Sequence, residues 1–173
     1  MSTPTPSATT ASTRRLAEAA TRALLARIAP THQRLAASAR RRLRTLLPTA
    51  HELVYEYRDA VVISYSPTEQ GHLGVLAIRA SADGVKLYFN RGKVLPDPKE
   101  LLRGSAGSVR WIQLESASTM ALPAVAQLMK QAAAATAVPF ARAGRGPTVV
   151  RATTASRKNA SQRNASRNKT GRK

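Results

Sequence analysis

Leu73-Gly-Val-Leu-Ala-Ile-Arg-Ala-Ser-Ala-Asp-Gly-Val-Lys-Leu-Tyr-Phe89 reads as two strands joined by the tight turn Asp83-Gly84. Both turn residues tolerate the positive φ that two-residue hairpin loops require, and Val85, Leu87 and Phe89 recur at the strand period of two. A hairpin in mid-chain decides the fold class, because it starts an antiparallel sheet to which the flanking segments must be added. Upstream, Leu53, Tyr55 and Tyr57 alternate with Glu52, Val54 and Glu56. Val61, Ile63 and Tyr65 continue the alternation to a turn over Pro67 to Gly71. Downstream, Val109 to Glu115 gives a fifth strand. Between the fourth and fifth, Asp97-Pro-Lys-Glu100 offers an N-cap, a proline at the first helical position and a glutamate three after the cap. That arrangement predicts a short helix over Pro98 to Arg103.

Helical spacing takes over on both sides of the strands. Leu16, Ala20, Leu24, Leu25 and Ile28 mark a helix from Arg14 that Pro30 ends. From Thr31 to Leu47, Leu35, Ala39, Leu43, Leu46 and Leu47 form the apolar stripe of a second helix, closed by Pro48. Leu122, Val125, Leu128 and Met129 mark a last helix over Ala121 to Ala137, stopped by Pro139. Helix, helix, five strands, helix predicts an α+β domain over residues 14–138, an antiparallel sheet of about five strands with the N- and C-terminal helices packed on one face. Residues 1–13 are Ser/Thr/Pro/Ala-rich, and residues 139–173 lack apolar periodicity, so both are expected to be disordered.

The chain carries 28 Lys and Arg against nine Asp and Glu, unevenly placed. Residues 48–138 hold nine of the cations and eight of the acids; residues 14–47 hold nine arginines and one acid; residues 139–173 hold ten cations and no acid. A near-neutral middle between basic flanks points to attachment to a polyanion, nucleic acid first, with Arg40, Arg41 and Arg44 of the second helix as contacts. In the tail the contacts would be Arg157, Lys158, Arg163, Arg167, Lys169, Arg172 and Lys173, spaced for phosphates rather than base edges. The last 33 residues contain no aromatic side chain, so the tail offers no stacking.

Cysteine is absent, which removes disulfides and thiolate chemistry and fits a reducing compartment. Apolar runs such as Ala132 to Val138 fall far short of the roughly 20 residues of a membrane span. A soluble cytoplasmic protein with no membrane contact is expected; residues 1–30, read instead as a transit peptide, imply an organelle. His32, His51 and His72 are too dispersed for a metal site, and no catalytic motif stands out. No cofactor, resident metal or enzymatic activity is expected. Trp111 falls on the polar side of the fifth strand, beside Lys86, Tyr88 and Asn90 of the fourth. Trp111 and Tyr88 thus become candidates for docking a partner on the open sheet face, by protein contact or by base stacking.

The run from Leu87-Tyr-Phe-Asn-Arg-Gly-Lys-Val-Leu-Pro-Asp-Pro-Lys-Glu-Leu-Leu-Arg-Gly104 to Val109-Arg-Trp-Ile-Gln-Leu114 resembles the signature of the bacterial YdhG/YdeI-like family, over residues 31–137. The family has no settled function. The resemblance implies a frataxin-like α+β fold and, as an alternative to nucleic-acid attachment, a carrier of metal or a small ligand. Frataxin-type iron binding uses a ridge of carboxylates on the first helix and adjacent strand. Here those helices carry nine arginines and one acid, Glu18, with Glu52, Glu56 and Asp59 as the nearest others. The family's Gly-Lys before the fifth strand is replaced by Ser105-Ala-Gly-Ser108.

Overall fold

A computed structural model of the chain describes residues 8–152. Helices α1 (Ala8–Leu25) and α2 (Pro30–Leu46) lead the fold. Pro30 opens α2 at a position whose N–H would have no intrahelical partner anyway. Five strands follow, β1 (His51–Glu56), β2 (Ala60–Ser66), β3 (Leu76–Ser81), β4 (Gly84–Phe89) and β5 (Arg110–Leu114), each antiparallel to the next. The β3–β4 hairpin turns at Gly84, whose φ of 114° suits glycine alone. Helix α3 (Pro123–Ala134) comes next, and a last strand, β6 (Thr148–Ala152), lies outside β1 and parallel to it. The result is an α+β domain with a six-stranded mixed sheet in the order β5-β4-β3-β2-β1-β6 and three helices.

Period-two geometry separates the faces of this sheet. Val54, Ile63, Ile78, Leu87 and Ile112 form one cross-strand row, all buried, in a core shared with Leu43 of α2 and Val125, Leu128 and Met129 of α3. On the opposite face the corresponding row is Leu53, Ser64, Ala77, Tyr88 and Trp111.

Three sequence expectations need correction. The segment from residue 139, expected to be disordered, supplies β6, so the sheet is mixed rather than wholly antiparallel. Strand β6 brings the β-branched run Thr148-Val-Val150 to the otherwise unpaired side of β1, and the Pro147 carbonyl accepts the Glu52 N–H at 2.9 Å. Gly146 makes the approach feasible: a Cβ there would lie 1.8 Å from the Ala50 carbonyl oxygen. Helix α1 likewise begins at Ala8, inside the segment expected to be unstructured. The helix over Pro98 to Arg103 does not form. The Asp97 carboxylate accepts the Leu102 N–H at 2.7 Å, and Glu100 takes a φ of 53°, which no right-handed helix allows. Arg103 then joins the edge of β5 in a two-bond bridge with Trp111. Among the described residues no helix is long and apolar enough to cross a membrane.

Candidate functional site

The basic face expected on α2 divides into an inner and an outer set. Arg40, expected to meet phosphate, is 9 % exposed and turned into the protein. Its Nε and Nη2 donate to the two oxygens of Glu52 at 2.9 and 2.6 Å, and its Nη1 and Nη2 donate to Glu18 at 2.8 and 3.0 Å. Glu52 also accepts from the Tyr65 hydroxyl at 2.9 Å and from Thr148 Oγ1 at 2.8 Å. The site thus joins α1, α2, β1, β2 and β6 around two carboxylates. Arg44, a second expected phosphate contact, donates to Glu18 and is largely buried. Position explains the correction: Ala36, Ala39, Arg40 and Leu43 are the buried residues of one α2 face, and a guanidinium there must find carboxylates or bear the cost of desolvation.

Burial alone would raise the Glu18 carboxyl, but hydrogen bonds and charge from Arg40 and Arg44 outweigh it and hold Glu18 below the ordinary carboxylate range. Burial, joined by the Glu52 charge, pushes the Tyr65 hydroxyl well above its usual value, so that it stays a donor. Because the Glu18 pKa falls on folding, its stabilisation is complete above the ordinary carboxylate value and is lost as pH drops through the lower folded value. Thermal melts of the native chain and E18Q should therefore show a gap in Tm that persists at about pH 6, narrows as the pH falls below the ordinary carboxylate value, and closes once the pH has passed the lowered folded value. A gap independent of pH would show that the Glu18 charge is not what Arg40 and Arg44 need.

Arg41, the third arginine expected to meet phosphate, is exposed. With Arg42, Lys130, Ser38 and Thr45 it lines a cleft of about 530 Å³ between α2 and α3, to which no carboxylate of the described residues contributes. Sequence reasoning missed Arg42 and Lys130. Ser38, Arg41, Arg42 and Thr45 stand at the i, i+3, i+4, i+7 spacing of one helix face, which was a usable signal; nothing local to Lys130 announces its neighbours. Arg42 is aimed by a 3.0 Å hydrogen bond from its Nε to the Met120 carbonyl.

The candidate pair on the sheet is brought together. Tyr88 and Trp111 are directly opposite in the β4–β5 register, and Lys86 Nζ lies 4.4 Å from the indole centroid. A smaller cavity of about 260 Å³ opens between residues 72–75, Asn90, Arg91 and the C-terminal end of α3. The loop 104–108 is an exposed connection, with Ser108 Oγ donating to the Asn90 carbonyl. The tail contacts Arg157, Lys158, Arg163, Arg167, Lys169, Arg172 and Lys173 lie outside the described residues. No family model, curated protein or solved structure matches the chain.

Proposed function

We propose that this chain is a non-enzymatic α+β binding module of YdhG/YdeI-like type, held to nucleic acid in the cytoplasm by exposed arginines of α1 and α2 and by the basic residues after Ala152. The observation that carries this reading is the division of charge. The acids nearest the helices, Glu18 and Glu52, are spent on Arg40 and Arg44. Arg14, Arg15, Arg22, Arg34 and Arg41 are exposed and make no ion pair among the described residues. Together with the carboxylate-free α2–α3 cleft, they offer a surface suited to backbone phosphates. The motif between Leu87 and Leu114 supports the family assignment and a frataxin-like ancestry of the sheet, with β6 as an addition. The alternative, a frataxin-like carrier of a metal or small ligand, draws on the cavity beside Asn90 and Arg91. Among the described residues no group of three or more His, Asp or Glu side chains is placed to hold a metal ion, which favours the small ligand within that alternative.

Binding of duplex DNA and structured RNA against salt concentration tests the proposal, with the full chain compared to one ending at Ala152. The cut belongs there because an earlier one would take β6 out of the sheet. Both chains should bind, and truncation should flatten the slope of log K against log salt by about 0.9 for each DNA phosphate that the tail had neutralised, several units in all. If the full chain binds neither nucleic acid near physiological salt, the proposal is wrong.

A further inference from the structure

The sheet surface opposite the helices is covered unevenly. Over β1 and β2 it is roofed by the loop between β2 and β3. Gly71 sits so close to the Tyr55 hydroxyl that a Cβ would meet it at 2.3 Å, and at Gly74 a Cβ would meet Ser64 Oγ at 2.5 Å. Arg151 Nη2 ties β6 to the same loop by donating to the Glu69 carbonyl at 2.6 Å, and Leu53 and Ser64 are buried beneath. Among the described residues the β4–β5 half has no such roof. There Tyr88 and Trp111 are partly exposed, side by side on neighbouring strands, with Lys86, Arg79 and Arg103 around them. The Arg103 guanidinium lies 6.0 Å from the indole centroid, and Gly104 packs against the indole edge. Of the three cations only Arg79 has an ion-pair partner among the described residues, the 80 % exposed Asp59 at 3.8 Å.

Two adjacent aromatic side chains bordered by cations, two of them with no ion-pair partner among the described residues, are chemically matched to one kind of polymer. A nucleic-acid single strand supplies both a π-face for each ring and a phosphodiester for each cation, whereas a duplex keeps its base faces in its own stack. We propose that the Tyr88–Trp111 surface is a stacking platform for single-stranded nucleic acid, with one or two bases on the rings and the adjoining phosphates on Lys86, Arg79 and Arg103. Lys86 in the free protein rests over the indole and exchanges that weak contact for a phosphate as a base takes the ring. The inference rests on the nucleic-acid reading above and adds selectivity to it: the basic helices and tail attract any strand, and the platform prefers an unpaired one.

Trp111 is the only tryptophan among four tyrosines, so fluorescence excited at the red edge, where tyrosine does not absorb, reports on this surface alone. The full chain would be titrated with a 12-nucleotide oligo(dT) and with a duplex of equal length, and the titrations repeated with Y88L and W111L, their folding checked by circular dichroism. The single strand should quench Trp111. Each substitution should weaken single-strand binding about 5- to 150-fold, the loss of one stacked base, while duplex binding moves less than about twofold. Should W111L fail to fold, quenching in the native chain and the affinity of Y88L decide the matter. Single-strand binding with neither quenching nor dependence on Tyr88 and Trp111 would overturn the platform and leave the electrostatic tether standing. Binding of neither oligonucleotide would remove both.

Discussion

Replacing Arg40 by leucine should destabilise the domain by about 3–5 kcal/mol, the range seen when one member of a buried ion pair is removed. At about 2–4 °C of Tm per kcal/mol for a domain of this size, that is a fall of about 6–20 °C. The loss comes from what stays behind. The Glu52 side chain is only 3 % exposed, and without the Arg40 guanidinium it would keep two hydroxyl donors, Tyr65 and Thr148, and an Arg44 nitrogen 3.8 Å away, too far for a hydrogen bond. Glu18 would retain Arg44 and is nearer the surface, so it matters less. The paired replacement of Arg40 and Glu52 by leucine removes both charges together and should be much milder than the sum of its parts, since an apolar pair of similar volume avoids both desolvation terms. Thermal melts of the two single variants and the double variant measure the coupling. If R40L costs less than about 1 kcal/mol, as an exposed arginine would, the cluster does not hold the elements together.

G146A should be nearly as damaging. The added methyl would meet the main chain at three points, 1.8 Å from the Ala50 oxygen, 2.4 Å from its carbonyl carbon and 2.7 Å from the Thr49 oxygen. Backbone cannot step aside as a side chain can, so the strand that follows must leave β1. With it go the pairing of Glu52 to Glu56 with Thr148 to Ala152, the Pro147 carbonyl bonded to the Glu52 N–H, and the Thr148 hydroxyl on the Glu52 carboxylate. At roughly 0.5–1.5 kcal/mol for each net hydrogen bond, detachment costs about 3–5 kcal/mol. A chain ending at Val138 should show the same loss. Urea unfolding and hydrogen exchange at the β1 amides read it directly. Full protection of those amides in G146A would mean that β6 is not seated through this contact.

The two sites differ in how far the sequence reveals them. The meander is written locally: Asp83-Gly84 fixes the hairpin, period-two runs fix the other strands, and Trp111 can be placed beside Tyr88 by counting alternation. Strand β6 is not written locally. Thr148-Val-Val150 is a brief apolar run in a basic stretch, and it becomes a strand because β1 presents an empty edge. At Asp97 the opposite happens: the local cap signal is strong, yet the Asp97 carboxylate reaches Leu102 and the segment is drawn onto β5. Arg40 carried a readable warning, because it shares one helix face with Ala36, Ala39 and Leu43, while Glu52 sits on the same side of its strand as the buried Val54. An arginine and a glutamate that both point inward are a pair. The α2–α3 cleft was half legible, its α2 side by spacing and its α3 side only through tertiary packing.

Strand β6 also sets an order in time. Glu52 and Thr148 are 96 positions apart, so during synthesis β1 emerges with an open edge that must wait for most of the chain before its neighbour exists. The hairpin contacts from β1 to β5 close short loops and can form as each strand appears, whereas the last pairing closes a long one. Until then the nascent protein presents a bare strand edge to anything extended that passes, other copies of itself included. Its vulnerability to misassembly is therefore concentrated in the interval before the sixth strand is made, and the stretch that ends that interval is followed at once by the most basic part of the chain.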